Sequence, residues 1–320
     1  MAVQWLRRGV LAAACASVAL LAACGSSTIE SALTPERFVA FGDGFSDVGQ
    51  VAGARYTVND GSVNNWTQQL AGTYGLTLTP VSAGGTSYAQ GNARVSATPD
   101  AAGSASTPTV AQQIDRFLAT GGAKPNDVVV LGAGTADIVA EMAAVTAGAQ
   151  TPEQMLARAQ QAGKDLGAQA IRLVNAGAKY VVVSGASNLG RTPWAKAIGQ
   201  EDGGLLTQAS SKFNEAFLVS VVDQGANILY VDAAYYFNLV TASPGSYAFD
   251  NETVPVCTSV DTGNGIGIGA GQINSALCTP STVLPAATYN KYVFADSVYV
   301  TPEAQRLFGT YAYDRLHARW

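Results

Sequence analysis

The sequence predicts an α/β domain, a three-layer αβα sandwich around a central, mostly parallel sheet. Short runs of apolar and β-branched residues alternate with longer amphipathic stretches, which is the strand–helix order of a doubly wound sheet. Two runs, VVVL at 128–131 and YVVV at 180–183, are almost uniformly apolar, as expected for parallel strands that are buried on both faces.

The strands and helices follow from these patterns in chain order. Strands are predicted at 37–42, 127–132, 179–184 and 227–232. Helices are predicted at 63–73, 108–120, 152–177, 204–224 and 302–318. The start of the third helix is well marked, because Thr151 suits the N-cap, Pro152 the first helical position and Gln154 the third.

Two stretches interrupt the alternation. Residues 83–109 are rich in Gly, Ser, Ala and Thr and predict a long loop. Residues 241–291, called the excursion below, contain the glycine-rich run TGNGIGIGAGQ and predict a segment that leaves the sandwich at its surface. We therefore expect both stretches to be irregular segments that contain no strand or helix of the sandwich.

The cysteines predict how the excursion is held. Cys257 and Cys278 are the only cysteines after residue 24, and in an oxidising compartment such a pair predicts a disulfide that closes a loop. A metal site is not predicted, because the only histidine, His317, lies near the end of the chain and no Cys-x-x-Cys spacing occurs. No cofactor is predicted either.

Residues 1–24 predict a secretion signal. A short positive start is followed by an apolar run too short to span a bilayer and by LAAC, which ends in Cys24. LAAC resembles a bacterial lipobox, which implies cleavage before Cys24 and its lipidation; ordinary cleavage beside a chance cysteine is the alternative. In the same resemblance, Gly25 favours an outer-membrane lipoprotein of the cell envelope. Residues 25–36 predict a flexible linker, and 37–320 form one domain.

The charge balance limits the partners. Without the signal the chain keeps 16 basic and 23 acidic side chains, a formal net charge of −7. An acidic surface argues against nucleic acid and against adsorption to anionic lipid. We therefore expect contact with a membrane only through the lipid on Cys24, and we expect a monomer.

Four polar segments mark the expected site, because ligands of open α/β sheets bind at the carboxyl ends of the strands. They are 42–47 (GDGFSD), 88–95 (YAQGNARV), 132–137 (GAGTAD) and 296–302 (DSVYVTP). In this order they resemble the four motif blocks of the GDSL or SGNH family of lipases and esterases, nearest to its bacterial secreted phospholipase, lecithinase and haemolysin type. The likeness extends over 37–318 and implies an SGNH-hydrolase, flavodoxin-like sandwich.

The resemblance also implies acyl transfer, in which a serine attacks an ester, a histidine takes its proton and an aspartate orients the histidine. Its catalytic positions fall on Gly44 (nucleophile), Gly91 and Asn92 (a glycine pair), Ala136 (an asparagine that binds the oxyanion), Asp296 (orienting acid) and Tyr299 (histidine). Asp296 is retained, and of the glycine pair Gly91 is retained and Asn92 is a replacement. Ser46 matches the second, structural serine of the first block, and a remodelled pocket is predicted to use Asp43, Ser46 and Tyr299.

These replacements predict a protein without ester hydrolase activity, because loss of a nucleophile or base costs on the order of 10⁶ in kcat. The first hypothesis is that Gly44 leaves room for a lipid, acyl or glycan ligand. The second is an active esterase or phospholipase that uses Tyr299 with Asp296. The third is a structural or interaction lipoprotein, whose pocket is filled and whose partner surface lies in the excursion.

Overall fold

The computed structural model describes residues 31–320, and in that part of the chain four parallel strands form one sheet in the order β1-β2-β3-β4. The strands are β1 Arg37–Gly42, β2 Asp127–Gly132, β3 Tyr180–Ser184 and β4 Ile228–Tyr230. This sheet confirms the predicted α/β class and the four predicted strands. The predicted signal peptide, the lipidation of Cys24 and the first six linker residues lie outside the described residues.

The helices lie on both faces of the sheet. Within residues 31–320 they are α1 Trp66–Thr73, α2 Val110–Ala119, α3 Thr135–Thr146, α4 Pro152–Asn175, α5 Pro193–Ala197, α6 Leu205–Ser220, α7 Ala233–Ala242 and α8 Pro302–His317. The five predicted helices correspond to α1, α2, α4, α6 and α8. Thr151, Pro152 and Gln154 form the predicted capping box at the start of α4.

Two cores account for the three layers. Val39, Val129 and Val181 share one core with α2, α3, α4 and α6. Phe38 and Val128, their neighbours in β1 and β2, share the other core with α1, α7 and α8. Successive strand residues alternate between the cores because side chains of a strand point to opposite faces in turn. The uniformly apolar strand sequences are thereby explained.

Three helices were not predicted, and each lacks a local signal. No side chain caps α3 from the preceding Gly134, and α3 is apolar on nearly every side. Helix α5 has only five residues. Helix α7 begins directly after Asp232, whose side chain accepts a hydrogen bond from the N–H of Tyr235. The predicted strand 227–232 therefore ends early, because its last residue caps a helix.

Part of the predicted loop 83–109 is extended and lies beside β1. The N–H of Ala40 donates to the carbonyl of Thr86 at 3.2 Å, and the N–H of Tyr88 donates back to Ala40 at 2.7 Å. The N–H of Gln90 donates to Gly42 at 3.1 Å. This segment covers the outer edge of β1 and brings the second motif block to the end of the strand.

The excursion is closed by the predicted Cys257–Cys278 disulfide, with 5.9 Å between the Cα atoms. It does not simply leave the surface, however. Ile266 is buried in the core of the sheet, and its neighbour Gly265 accepts a hydrogen bond from Asn92 at 2.9 Å. The glycine-rich run is thus folded back over the 83–109 loop, and the expectation of a peripheral segment is wrong for this part.

Residues 31–36 also differ from the prediction. Leu33 is buried in the core with α1 and α8, and the N–H of Glu36 donates to Asn126 at 3.0 Å. Ser31 donates to the carbonyl of Trp320. This end of the predicted flexible linker is therefore packed against the domain, because its one large apolar residue finds a place in the core. No helix within residues 31–320 is long and apolar enough to cross a membrane.

Candidate active site

The four motif blocks meet at the carboxyl ends of β1 and β2. The carboxylate of Asp43 in the first block accepts hydrogen bonds from the third block, and that of Asp47 accepts one from the second. Tyr299 of the fourth block lies over Gly44. The structure therefore brings together the residues that the sequence assigned to one site.

Asp43 holds the first and third blocks together. Its carboxylate accepts the N–H groups of Phe45 at 3.0 Å, Gly134 at 3.1 Å and Ala136 at 3.2 Å. It thereby supplies the cap that α3 lacks in its own sequence. Burial raises the pKa of Asp43 to about 7, although the three N–H donors act in the opposite direction.

Asp47 connects the first block to the second. One carboxylate oxygen accepts the N–H groups of Gly49 and Gln50, and the other accepts that of Gly91 at 2.8 Å. Burial raises the pKa of Asp47 to about 6. Gly91 occupies the position of an oxyanion donor in the family resemblance, but its N–H is turned to Asp47 instead.

Ser46 has the structural position that the sequence suggested. Its hydroxyl donates to the carbonyl of Gly132 at 3.2 Å and accepts from the indole N–H of Trp66 at 3.2 Å. The side chain is fully buried between β2 and α1. It cannot approach a substrate, and Ser46 therefore does not replace the nucleophile missing at Gly44.

Tyr299 fills the space beside Gly44. A Cβ built on Gly44 would lie 2.7 Å from the phenol oxygen of Tyr299 and 2.9 Å from its Cζ, and real Cβ atoms essentially never come closer than 3.0 Å. Tyr299 is only 2% exposed. The expectation that Gly44 leaves room for a ligand is therefore wrong, because the tyrosine at the position of the histidine occupies the space of the nucleophile's side chain.

Tyr56, which the sequence analysis did not single out, completes this packing. Its ring lies 4.9 Å from that of Tyr299, centroid to centroid. A Cβ on Gly44 would lie 3.0 Å from Cγ of Tyr56, and a Cβ on Gly91 would overlap the Tyr56 phenol. Tyr56 lies between two motif blocks and follows no pattern, so no signal in the sequence pointed to it.

Asp296 does not orient a base. Its Oδ1 accepts the N–H groups of Val298 at 2.8 Å and Tyr299 at 2.7 Å, and its Oδ2 accepts that of Ser275 at 3.0 Å. It thus stabilises the turn before α8 and attaches the excursion to that turn. Burial raises the pKa of Asp296. The contact with Ser275 joins segments from different parts of the chain, and no sequence pattern foretold it.

The remaining oxyanion positions also have other roles. The methyl group of Ala136 is buried in the core, and its N–H donates to Asp43. Asn92 has a left-handed backbone, with φ of 63°, and its amide donates to Gly265 of the excursion. Neither side chain offers a donor to a developing oxyanion beside Gly44.

The chemistry available at this site is limited by the state of Tyr299. Burial raises its pKa well above the usual 10, and the neighbouring carboxyl of Asp43 adds to the effect. The phenol therefore stays protonated at neutral pH and is a poor base. His317 is at the far end of α8, roughly 22 Å along the helix from its start. Within residues 31–320 no three His, Cys, Asp or Glu side chains form a candidate metal site.

A narrow throat is the open space that borders Tyr299. It has a volume of about 20 Å³, which is room for about one water molecule. Its wall is mainly apolar, with Phe45, Phe237, Phe294, Val298 and Val300. The site as a whole is thus packed rather than hollow.

Comparison with known proteins shows which family the chain resembles over most of its length. The GDSL-like Lipase/Acylhydrolase family model matches residues 38–312. A GDSL esterase/lipase of Arabidopsis thaliana is 28% identical over 151 residues, 44% of this chain and 38% of the relative. An uncharacterised protein from the trpE-trpG intergenic region of Pseudomonas putida is 27% identical over 310 residues, 88% of this chain and 48% of the relative. The aligned chain spans less than half of either relative.

Among solved structures, the native aryl esterase of M. smegmatis is similar, with 15% sequence identity and a TM-score of 0.46. The similarity covers 89% of this chain and 99% of that esterase.

Proposed function

The chain belongs to the GDSL-like lipase/acylhydrolase family, and we propose that it is a member without ester hydrolase activity, in which the fold serves interaction with a partner. The family match covers every motif block and all of the sheet except its first residue, Arg37. The proposal concerns the residues that stand at the positions where the family resemblance implies a nucleophile, a base and oxyanion donors.

The observation that carries the proposal is the position of Tyr299. Its phenol stands where the side chain of a nucleophile would begin, 2.7 Å from a Cβ built on Gly44. Removal of a nucleophile or base alone lowers kcat by on the order of 10⁶. The residual activity of such sites, roughly 10³–10⁴ over water, relies on oxyanion donors and substrate binding. Here the N–H of Gly91 is bound to Asp47, and a substrate has no room beside Gly44.

An active esterase that uses Tyr299 with Asp296 is the alternative. The burial of Tyr299 and its raised pKa oppose proton transfer to the phenol at neutral pH. The carboxylate of Asp296 already accepts three backbone N–H groups, so it does not activate the tyrosine. A lipid, acyl or glycan ligand at Gly44 is opposed by the same packing.

Hydrolysis of p-nitrophenyl acetate and butyrate by the purified protein tests the absence of activity. We expect a rate equal to that of buffer, for the wild type and for the Tyr299→Phe and Asp296→Ala variants alike. Saturable turnover that disappears in either variant, and persists in the exposed control Tyr235→Phe, would favour the active esterase.

We assign the partner surface to the excursion. The disulfide closes its central part, Asn92 holds its glycine-rich run, and such a fixed loop loses little entropy on binding. It also exposes three apolar side chains, Val254, Val260 and Leu277, at 44%, 58% and 52%. This arrangement supports recognition by a surface rather than by a pocket.

Substitution of these side chains tests the surface. Cross-linking in intact cells is expected to yield a defined partner that is lost in Val260→Asp and Leu277→Asp. The matched controls are Val51→Asp and Val219→Asp, which change exposed valines outside the excursion. Loss of the partner in Tyr299→Phe, with the excursion variants unaffected, would contradict the assignment.

We further propose that the protein is an envelope lipoprotein attached through Cys24. The proposal rests on the LAAC segment and on the signal-like residues before it. Metabolic labelling with palmitate should mark the wild type and not Cys24→Ala, and the variant should be recovered from the soluble periplasmic fraction. Equal labelling of both proteins would contradict it.

A further inference from the structure

A second cavity lies beside the filled centre. It is a cleft of about 190 Å³ that opens between α5, the loop after it and the start of the excursion. Its lining residues are Gly190, Arg191, Thr192, Pro193, Lys196, Glu201, Asp202, Thr241, Glu252 and Thr253. None of these positions belongs to the four motif blocks, so the cleft is not explained by the catalytic ancestry of the site.

The lining carries charges of both signs. Arg191 and Lys196 are cationic, and Glu201, Asp202 and Glu252 are anionic. Arg191 and Asp202 form an ion pair with 3.2 Å between Nε and Oδ1. Lys196, Glu201 and Glu252 form no ion pair within residues 31–320. One cationic and two anionic side chains therefore line the cleft without forming ion pairs with one another.

The floor of the cleft is fixed. Thr192 is buried, its hydroxyl donates to the carbonyl of Leu189 at 2.7 Å, and it accepts the N–H of Ala195 at 3.3 Å. These bonds hold the segment that carries Arg191 against the first turn of α5. The cation of Arg191 is thus presented by a short, hydrogen-bonded segment rather than by a free loop.

The dimensions limit the ligand. The cleft has a volume of about 190 Å³ and is open to solvent on its outer side, so its lining contacts one face of a small ligand. The cleft and the throat share Arg191, Thr192 and Thr241, but the throat holds only about 20 Å³ before it ends at Tyr299. An acyl chain therefore cannot extend inward, and the ligand has to be compact and polar.

We propose that this cleft binds a small zwitterion, with its anionic group at Arg191 and Lys196 and its ammonium group at Glu201 and Glu252. A simple anion would approach three carboxylates, and a simple cation would approach two positive side chains, so either is opposed by like charges. A zwitterion satisfies both sets. Free amino acids, peptide termini and zwitterionic headgroups share this chemistry.

The ion pairs between the cleft and such a ligand are exposed to solvent, and this exposure determines the expected affinity. Exposed ion pairs contribute little each, so a dissociation constant of about 1–10 mM is expected. The measurement is an NMR titration of the purified protein with L-alanine and with glycerophosphocholine. Acetate and methylammonium, each carrying one of the two charges, are the ligand controls.

Saturable shifts with at least one zwitterion are expected, with acetate and methylammonium at least tenfold weaker. Lys196→Gln and Glu252→Gln should each weaken binding at least fivefold, whereas Lys164→Gln and Glu153→Gln, exposed positions on α4, should leave it unchanged. The stronger of the two zwitterions identifies the source. Absence of saturation, equal binding of acetate alone, or insensitivity to Lys196→Gln and Glu252→Gln would each overturn the proposal. These readouts are independent of ester hydrolysis and of the partner surface.

Discussion

Two halves of the candidate site are stabilised in different ways. In the hydrogen-bonded half, Asp43 and Asp47 accept backbone N–H groups from three motif blocks, and Ser46 links β2 to α1. In the packed half, Gly44 is covered by the rings of Tyr56 and Tyr299. One half retains the polar residues of the family resemblance, and the other consists of aromatic packing around a glycine.

The difference shows which residues of such a site also stabilise the fold. Removal of Asp43 or Asp47 would leave several buried N–H groups without acceptors, which is costly. The positions of the nucleophile and its base do not hold the backbone in this way, because a nucleophile and its base have to be exposed to substrate. Once their chemistry is absent, burial of apolar and aromatic groups in the same place stabilises the domain.

The largest effect is expected for Tyr299→Ala, because it removes the ring that fills the packed half. Truncation of a buried aromatic residue costs about 3–5 kcal/mol of unfolding free energy. Urea denaturation should show this loss, whereas Tyr235→Ala, at a 56% exposed tyrosine on α7, should change stability by less than about 0.5 kcal/mol. Equal costs for the two variants would mean that the packed half does not support the fold.

The hydrogen-bonded half should make stability depend on pH. The pKa of Asp43 is raised to about 7, so the folded protein keeps a proton that the unfolded chain has lost above about pH 4. Asp43 should therefore lower the unfolding free energy by on the order of 2–3 kcal/mol between pH 5 and pH 8, and Asp47 and Asp137, whose pKa values burial raises to about 6, should add to this fall.

The Asp43→Asn variant separates the contribution of Asp43 to the pH dependence of stability from that of other carboxyl groups. It should lose the part of the slope that Asp43 contributes, whereas the part from Asp47, Asp137 and Asp296, whose pKa values burial also raises, should remain. Its absolute stability should be lower, because the amide nitrogen cannot accept the N–H groups that a carboxylate oxygen accepts. Denaturation midpoints at four or five pH values provide the comparison. A slope identical to that of the wild type would assign the pH dependence to other groups.

Gly44→Ala should destabilise the protein by about 1–3 kcal/mol, the usual cost of overpacking a filled core. The added methyl group meets the phenol of Tyr299 and the ring of Tyr56. Thermal unfolding should show the loss, and Gly61→Ala is not a suitable control, because its φ of 78° adds backbone strain. Gly72→Ala is suitable, since a Cβ there would meet open space.

The smallest effect is expected for Tyr299→Phe, which removes only the phenol oxygen and leaves the ring against Tyr56. A cost below about 1 kcal/mol follows from this nearly volume-conserving change. The same melting experiments measure it. A cost as large as that of Tyr299→Ala would show that the oxygen, rather than the packing of the ring, is what the site requires.

Much of the fold could be predicted, because the relevant signals are local. Short apolar runs, two of them almost uniform, predicted the four strands, and a capping box marked the start of α4 at Thr151. Helix α3 was missed because its cap, Asp43, comes from a distant part of the chain. Likewise, nothing around Ile266 in the glycine-rich run indicates that it enters the core.

The site was predictable in its membership and not in its shape. The motif order predicted that Gly44, Gly91, Ala136 and Tyr299 lie near one another, and their contacts with Asp43, Asp47 and Tyr56 place them at the same end of the sheet. Whether the place of a missing side chain is empty or filled depends on contacts between segments far apart in sequence. Tyr56 and Ser275 are such contacts, and neither stands in a recognisable pattern.

The central claim is that Tyr299 occupies the space of a side chain at position 44, and a double-mutant cycle tests it most directly. The unfolding free energies of the wild type, Gly44→Ala, Tyr299→Ala and the double variant are measured under identical conditions. The account predicts that Gly44→Ala costs at least about 1 kcal/mol less in the Tyr299→Ala background, because the competing ring is gone. Equal costs in both backgrounds would contradict the claim.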